Sequence, residues 1–161
     1  MSNRYRPKDT VRNGAVHIGL LVMASGIEIS LRNQLPEIHR LVGVVEAFFS
    51  DNGLPDRLAH NFNLAFDEII TNIVSYGYDD EGEHLIDVRL SVADGLVEAE
   101  VIDDAKAFDP LNAPDPDVTT ELDDRPIGGL GVFFVKKLMD EVRYKRENDR
   151  NHFYFCKRAS A

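Results

Sequence analysis

Glu68 and Asn72 stand four residues apart in the run LAFDEIITN. At about 100° per residue they lie roughly 40° apart on a helix, one turn above each other. The apolar stripe of Phe62, Phe66, Ile69 and Ile73 centres more than about 90° away, so the polar pair falls on a flank beside the core. A carboxylate and an amide stacked this way can orient a nucleophile and hold a hard, oxygen-seeking cation such as Mg2+. The same spacing also describes an ordinary solvated helix face.

Two further segments have chemistry to offer. VIDDAKAFDP leaves an apolar run and places Asp103 and Asp104 at its end. A strand-end carboxylate accepts a hydrogen bond from an exocyclic amine such as that of adenine, and the alternative is an Asp-rich turn. Downstream, Arg125-Pro126-Ile127-Gly128-Gly129-Leu130-Gly131 runs into a helical pattern. Glycines let backbone N–H groups approach an anion, and the helix N-terminus adds partial positive charge. Arg125 can add a charge-assisted contact to phosphate. A flexible loop with a helix cap is the plainer reading.

The elements that must position these residues follow from periodicity. Residues 26–33 alternate Ile27, Ile29 and Leu31 against Glu28, Ser30 and Arg32, a strand pattern. Leu35, Ile38, Leu41, Val42, Val45, Phe48 and Phe49 recur at helical spacing up to Asp51-Asn52-Gly53. Pro55 opens a second helix that carries Glu68 and Asn72 and weakens at Gly77. Leu85–Ala93 and residues 96–102 flank Asp94-Gly95, the dipeptide of a tight hairpin. Residues 104–127 hold Pro110, Pro114, Pro116 and Pro126 and read as a functional loop such as a lid, or else as a disordered one. A third helix follows, with Val132, Phe133, Val135, Leu138 and Met139 facing inward and Phe133 and Phe134 assigned to the core. Residues 141–146 and 152–157 predict a last hairpin around Asn148-Asp149-Arg150, with Cys156 packed in its second strand. This order predicts an antiparallel or mixed sheet covered by helices on one face.

The chain has 161 residues, which amounts to one domain. Eighteen basic residues against 28 acidic ones leave a net charge of −10, and that argues against sequence-independent nucleic-acid binding. One cysteine forms no internal bridge, and the chain reads as cytoplasmic. Arg4, Arg6, Lys8 and Arg12 precede an apolar run at residues 15–24 that is too short to span a bilayer. Residues 1–24 are expected to be a flexible extension; a signal peptide is the weighed alternative, disfavoured by the long flank and Asp9.

Taken in order, the three segments resemble the anti-sigma factor serine kinases of the GHKL ATPase superfamily. LAFDEIITNIVSYGY is similar to that family's N box, DDAKAFDP to its first glycine box and RPIGGLGVFFVKKLMDEV to its second. The resemblance implies a two-layer α/β sandwich of the Bergerat ATP-binding type over residues 25–158, with helices on one face and an ATP lid at about 110–127. It implies Glu68 as general base, Asn72 as Mg2+ ligand and Asp103 as reader of adenine. Ala105, Ala107, Arg125, Gly128, Gly129, Leu130 and Gly131 complete the nucleotide site, with Gly129 and Gly131 offering phosphate-binding amides. The implied activity is transfer of the ATP γ-phosphoryl group to a serine of a small anti-sigma factor antagonist. A sigma factor or similar regulator is the second implied partner, and a homodimer the implied assembly, without nucleic acid or membrane.

Ala105 and Ala107 stand where the family pattern has glycine. A positive φ at Ala105 would cost about 1 kcal/mol and weaken nucleotide binding about fivefold. That departure supports a different reading, a protein that sequesters a partner with weak or no nucleotide binding. A histidine-kinase catalytic fragment ranks below both, because His39 in PEIHRL lacks the rest of a phospho-accepting motif.

Overall fold

In the computed structural model the described residues are 17–18, 21–22, 25–112 and 130–159. Near the amino terminus, β1 (His17–Ile18) and β2 (Leu21–Val22) pair antiparallel with His17 opposite Val22. Among the described residues from Ser25 onward, one sheet of five strands carries three α-helices. In chain order they are β3 (Ser25–Arg32), α1 (Pro36–Asp51), α2 (Asp56–Tyr76), β4 (Leu85–Ala93), β5 (Leu96–Asp103), α3 (Leu130–Leu138), β6 (Glu141–Glu147) and β7 (Arg150–Arg158). The strands run β3-β4-β5-β7-β6, and every pair is antiparallel.

Strand alternation divides the sheet into two faces. Ile86, Val88 and Leu90 of β4, Val97, Ala99 and Val101 of β5, and Phe153 and Phe155 of β7 are buried on the helix side. Register stacks them, with Val88 opposite Val101 and Val101 opposite Phe153. The other face is polar. Arg89 bridges Glu28 at 3.1 Å and Glu100 at 3.4 Å, His152 meets Glu100 at 2.9 Å, and Tyr154 donates to Glu98 at 2.6 Å. The fold is therefore a two-layer sandwich of sheet and helices.

Phe49, Phe62, Phe66 and Phe155 clamp α2 between α1 and the sheet, with ring centroids 5.1 to 6.4 Å apart. All four are almost wholly inaccessible, and truncating such a ring to alanine costs about 3–5 kcal/mol. Local chemistry sets the element ends. Gly53 takes φ +64° just past α1, and Asp94 and Gly95 take φ +49° and +74° in the β4–β5 turn that their sequence predicts. The β6–β7 turn is tighter than the sequence pattern suggests. Asn148 and Asp149, at φ +50° and +58°, form a two-residue loop, so both strands extend further than expected.

Helix α3 corrects one expectation. Val132, Val135 and Met139 face the core at spacings of three and four, which turns Phe134 toward solvent (50% exposed) and leaves Phe133 half-buried under Lys137. Cys156 is buried as expected, although strand alternation puts it opposite Glu98 on the face away from Phe153 and Phe155. Among the described residues no helix is long and apolar enough to cross a membrane.

Candidate functional site

Helix α2 borders the whole site. Its buried stripe of Phe62, Ala65, Phe66, Ile69 and Ile70 faces the core, and this phase leaves Glu68 and Asn72 half-buried on its flank, one turn apart. Neither side chain has a hydrogen bond or ion pair among the described residues. Half-buried polar groups left open in this way are available to a ligand.

Glu68 faces the start of α3. A side chain at Gly131 would run into the Glu68 carboxylate, with its Cβ 2.7 Å from Cδ and 3.3 Å from Cγ. Glycine therefore lets the first turn of α3 approach the carboxylate. Burial, and then the adjacent Asp67 charge, raise the Glu68 pKa above the ordinary carboxylate range. Leu130, half-buried, begins the same turn.

The far end of α2 meets the segment after β5. The Lys106 amide donates to the Gly77 carbonyl at 3.0 Å. A side chain on Gly77 would sit 2.8 Å from the Ala105 Cβ, so the alanine methyl occupies the space that glycine leaves at 77. Ala105 is buried, and its backbone is not in the left-handed region: among the described non-glycine residues only Asp94, Asn148 and Asp149 have positive φ. The positive-φ strain expected of alanine in place of glycine at 105 is therefore absent. Ala107 is exposed next to it.

Asp103 closes this end at the last position of β5 and is only 3% exposed. Its Oδ1 accepts from the Ala105 amide at 2.9 Å and from Asn151 Nδ2 at 2.8 Å. Burial raises its pKa, with Asn151, the Ala105 amide and Arg146 pulling the other way. Nearby, Tyr78 stacks on His84 at 4.1 Å, and His84 contacts Asp80 at 2.9 Å and Asp104 at 3.3 Å. Those two carboxylates, Asp80 first, raise the imidazole pKa. Tyr78 is shifted upward too, by burial and by the Asp103 and Asp104 charges.

Glu68 with Gly131 and Gly77 with Ala105 are nine residues apart on one helix, about 14 Å at 1.5 Å per residue. A nucleotide can lie along such a span, its phosphates beside the α3 N-terminus and its base beside Asp103. Of the residues singled out by sequence, Glu68, Asn72, Asp103, Ala105, Leu130 and Gly131 lie on this stretch of α2 or on the segments that meet it. Arg125, Gly128 and Gly129 lie outside the described residues, as does most of the expected lid; its first residues form a 3-10 turn at Pro110–Asn112. Sequence reasoning missed Asn151, which donates to Asp103 from the last hairpin, and Arg146 and Tyr144, which donate to Asn151. Their signal exists only in strand register.

The chain matches the histidine kinase-like ATPase domain family over residues 31–157, and it belongs to that family. Among its relatives, the serine-protein kinase RsbW of Bacillus velezensis is 30% identical over 122 residues, covering 68% of this chain and 74% of that protein. The serine/threonine-protein kinase BtrW of Bordetella bronchiseptica is 30% identical over 96 residues, 60% of this chain and 68% of that one. An anti-sigma F factor of Clostridium botulinum is 23% identical over 86 residues, 53% of this chain and 60% of that one. In structure, the chain resembles the RsbU and RsbW domains of Rv1364c from Mycobacterium tuberculosis, with TM-score 0.61 and 19% identity over 84% of this chain and 33% of that one. That likeness concerns the fold.

Proposed function

We propose that this protein is an ATP-dependent serine kinase acting as an anti-sigma regulatory factor in the cytoplasm. Its substrate is a serine of a small antagonist protein, and its second partner is a sigma factor or similar regulator, engaged by a homodimer. The observation that carries this reading is the approach of Gly131 to the unpartnered Glu68 carboxylate, which sets a base beside a helix N-terminus. Phosphoryl transfer needs mainly positioning and charge neutralisation, and in this reading the first turn of α3 supplies the positioning and Arg125 with Mg2+ the neutralisation.

In this reading Glu68 takes the proton of the serine hydroxyl as its oxygen attacks the γ-phosphorus; the β–γ bridging bond breaks and ADP leaves. Burial and Asp67 make Glu68 a stronger base than a free carboxylate, as this role requires. The amides at the start of α3, with Gly128 and Gly129 ahead of it, receive the phosphates, and Arg125 adds a contact. Asp103 accepts from the adenine amine. Asn72, one turn from Glu68 with its amide uncommitted, fits Mg2+, which takes few protein ligands and completes its shell with phosphate and water. When bound, Mg2+ supplies neutralisation of phosphate charge.

The test is phosphate transfer from ATP to a cognate antagonist by the whole chain with Mg2+. Glu68→Ala is expected to abolish transfer while keeping its melting temperature and its ADP affinity. Wild-type transfer by Glu68→Ala would refute the base assignment, and no ADP binding by the parent chain would refute the enzyme.

A further inference from the structure

Asp103 and Asn151 are the buried polar residues among those described, at 3% and 7% exposure, and they face each other across β5 and β7. The orientation of the Asn151 amide is fixed by its partners. Arg146 (2.9 Å) and the Tyr144 hydroxyl (2.7 Å) both donate to its Oδ1, and a guanidinium can only donate. Nδ2 must therefore face the Asp103 carboxylate.

Two consequences follow from that orientation. Both hydrogen bonds to Asp103 converge on Oδ1, so Oδ2 is left without a hydrogen bond among the described residues. A carboxylate gripped by one oxygen presents the other as an aimed acceptor. The backbone beyond Asp103 is held by the same pair. Asn151 Nδ2 reaches the carbonyls of Lys106 at 3.1 Å and Ala105 at 3.3 Å, and Arg146 donates to the Ala105 carbonyl at 2.7 Å. One side chain thus sets the carboxylate's direction and the path of the backbone beside it together.

Resting on the reading of Asp103 as the group that meets the nucleobase, we propose that Asn151, braced by Arg146, is the positioning residue that determines base selectivity. The aimed Oδ2 takes a base that offers an exocyclic amine, as adenine does. A base with a carbonyl at that point, as in guanine, sets acceptor against acceptor and is refused. Freed from Asn151, Asp103 turns among rotamers and this discrimination fades.

Calorimetric titration of the full chain with ADP and with GDP tests this, with thermal melts alongside. The parent is expected to prefer ADP. Asn151→Leu is expected to lose about tenfold in ADP affinity with GDP affinity unchanged, the loss of one well-placed hydrogen bond. Arg146→Met, on the edge strand β6, is expected to lose about threefold in the same selective way, and it decides the matter if Asn151→Leu does not fold. The ratio of the two affinities is the diagnostic, since a general loosening of the hairpin lowers both alike. An ADP preference retained in the folded variants overturns the role of Asn151 and leaves the kinase reading intact. A parent chain that binds neither nucleotide overturns both.

Discussion

Gly131→Ala separates stability from chemistry in a way that few substitutions do. In the first turn of α3, alanine is the better helix former, by up to about 1 kcal/mol. The new Cβ falls on the Glu68 carboxylate, the end of a flexible side chain, which can swing aside at small cost. The melting temperature is therefore expected to hold or to rise by a few degrees. The carboxylate, however, must move by about 1 Å or more, and a displacement of that size at a catalytic group costs about a hundredfold in rate. Single-turnover transfer to an antagonist, followed with and without saturating ATP, reads the rate, and a thermal melt reads the stability. A variant as fast as the parent would refute the placement of the base against α3. A variant that is slow only because it is unfolded would refute the claim that the collision is local.

The other expectations are simpler. Asp67→Asn removes the charge that helps raise the Glu68 pKa, so the acid limb of kcat/KM should move to lower pH, and an unmoved limb would leave Glu68 out of the chemistry. His84 holds its proton more tightly in the folded state through Asp80 and Asp104. Its stabilisation is thus complete below the unfolded histidine pKa, about 6.5, and is lost as pH rises through the higher folded value. Melting temperatures of the parent should fall across that window, and those of His84→Gln should not. Ala105→Gly should cost about 1 kcal/mol by adding backbone freedom at a residue without positive φ. Its ADP affinity should not improve; a fivefold gain would show that the alanine strains the site.

Much of the architecture is readable in the chain because its signals are local. The stripes of α1 and α2 and the alternation of β3, β4 and β5 depend on neighbours a few residues away, and Asp94-Gly95 carries its own turn geometry. Glu68, Asn72, Asp103 and Gly131 are also readable, because each lies within a short motif. What escapes the sequence is set by long-range register. Asn151 reaches Asp103 only because β7 pairs beside β5, and Arg146 reaches Asn151 only because a two-residue loop at Asn148-Asp149 folds β6 back in phase. Phe134 escapes for a different reason: a pair of adjacent phenylalanines cannot both face inward, and the phase is decided by Val132, Val135 and Met139. The fit between Gly77 and Ala105 shows only once the helix end and the strand end are brought together.

The anchoring of α2 has a mechanical corollary. Seven of its residues are buried, from Leu58 to Ile70, whereas α3 commits only Val132 and Val135 within its nine-residue length. The long helix is a fixed ruler whose graduations, Glu68 and Gly77, cannot change separation without breaking the backbone hydrogen bonds of its last turns. Admission and release of a ligand then fall to the lighter jaw, α3. Its amides should exchange with deuterium faster than those of α2, and nucleotide should slow them most at the end that carries Gly131.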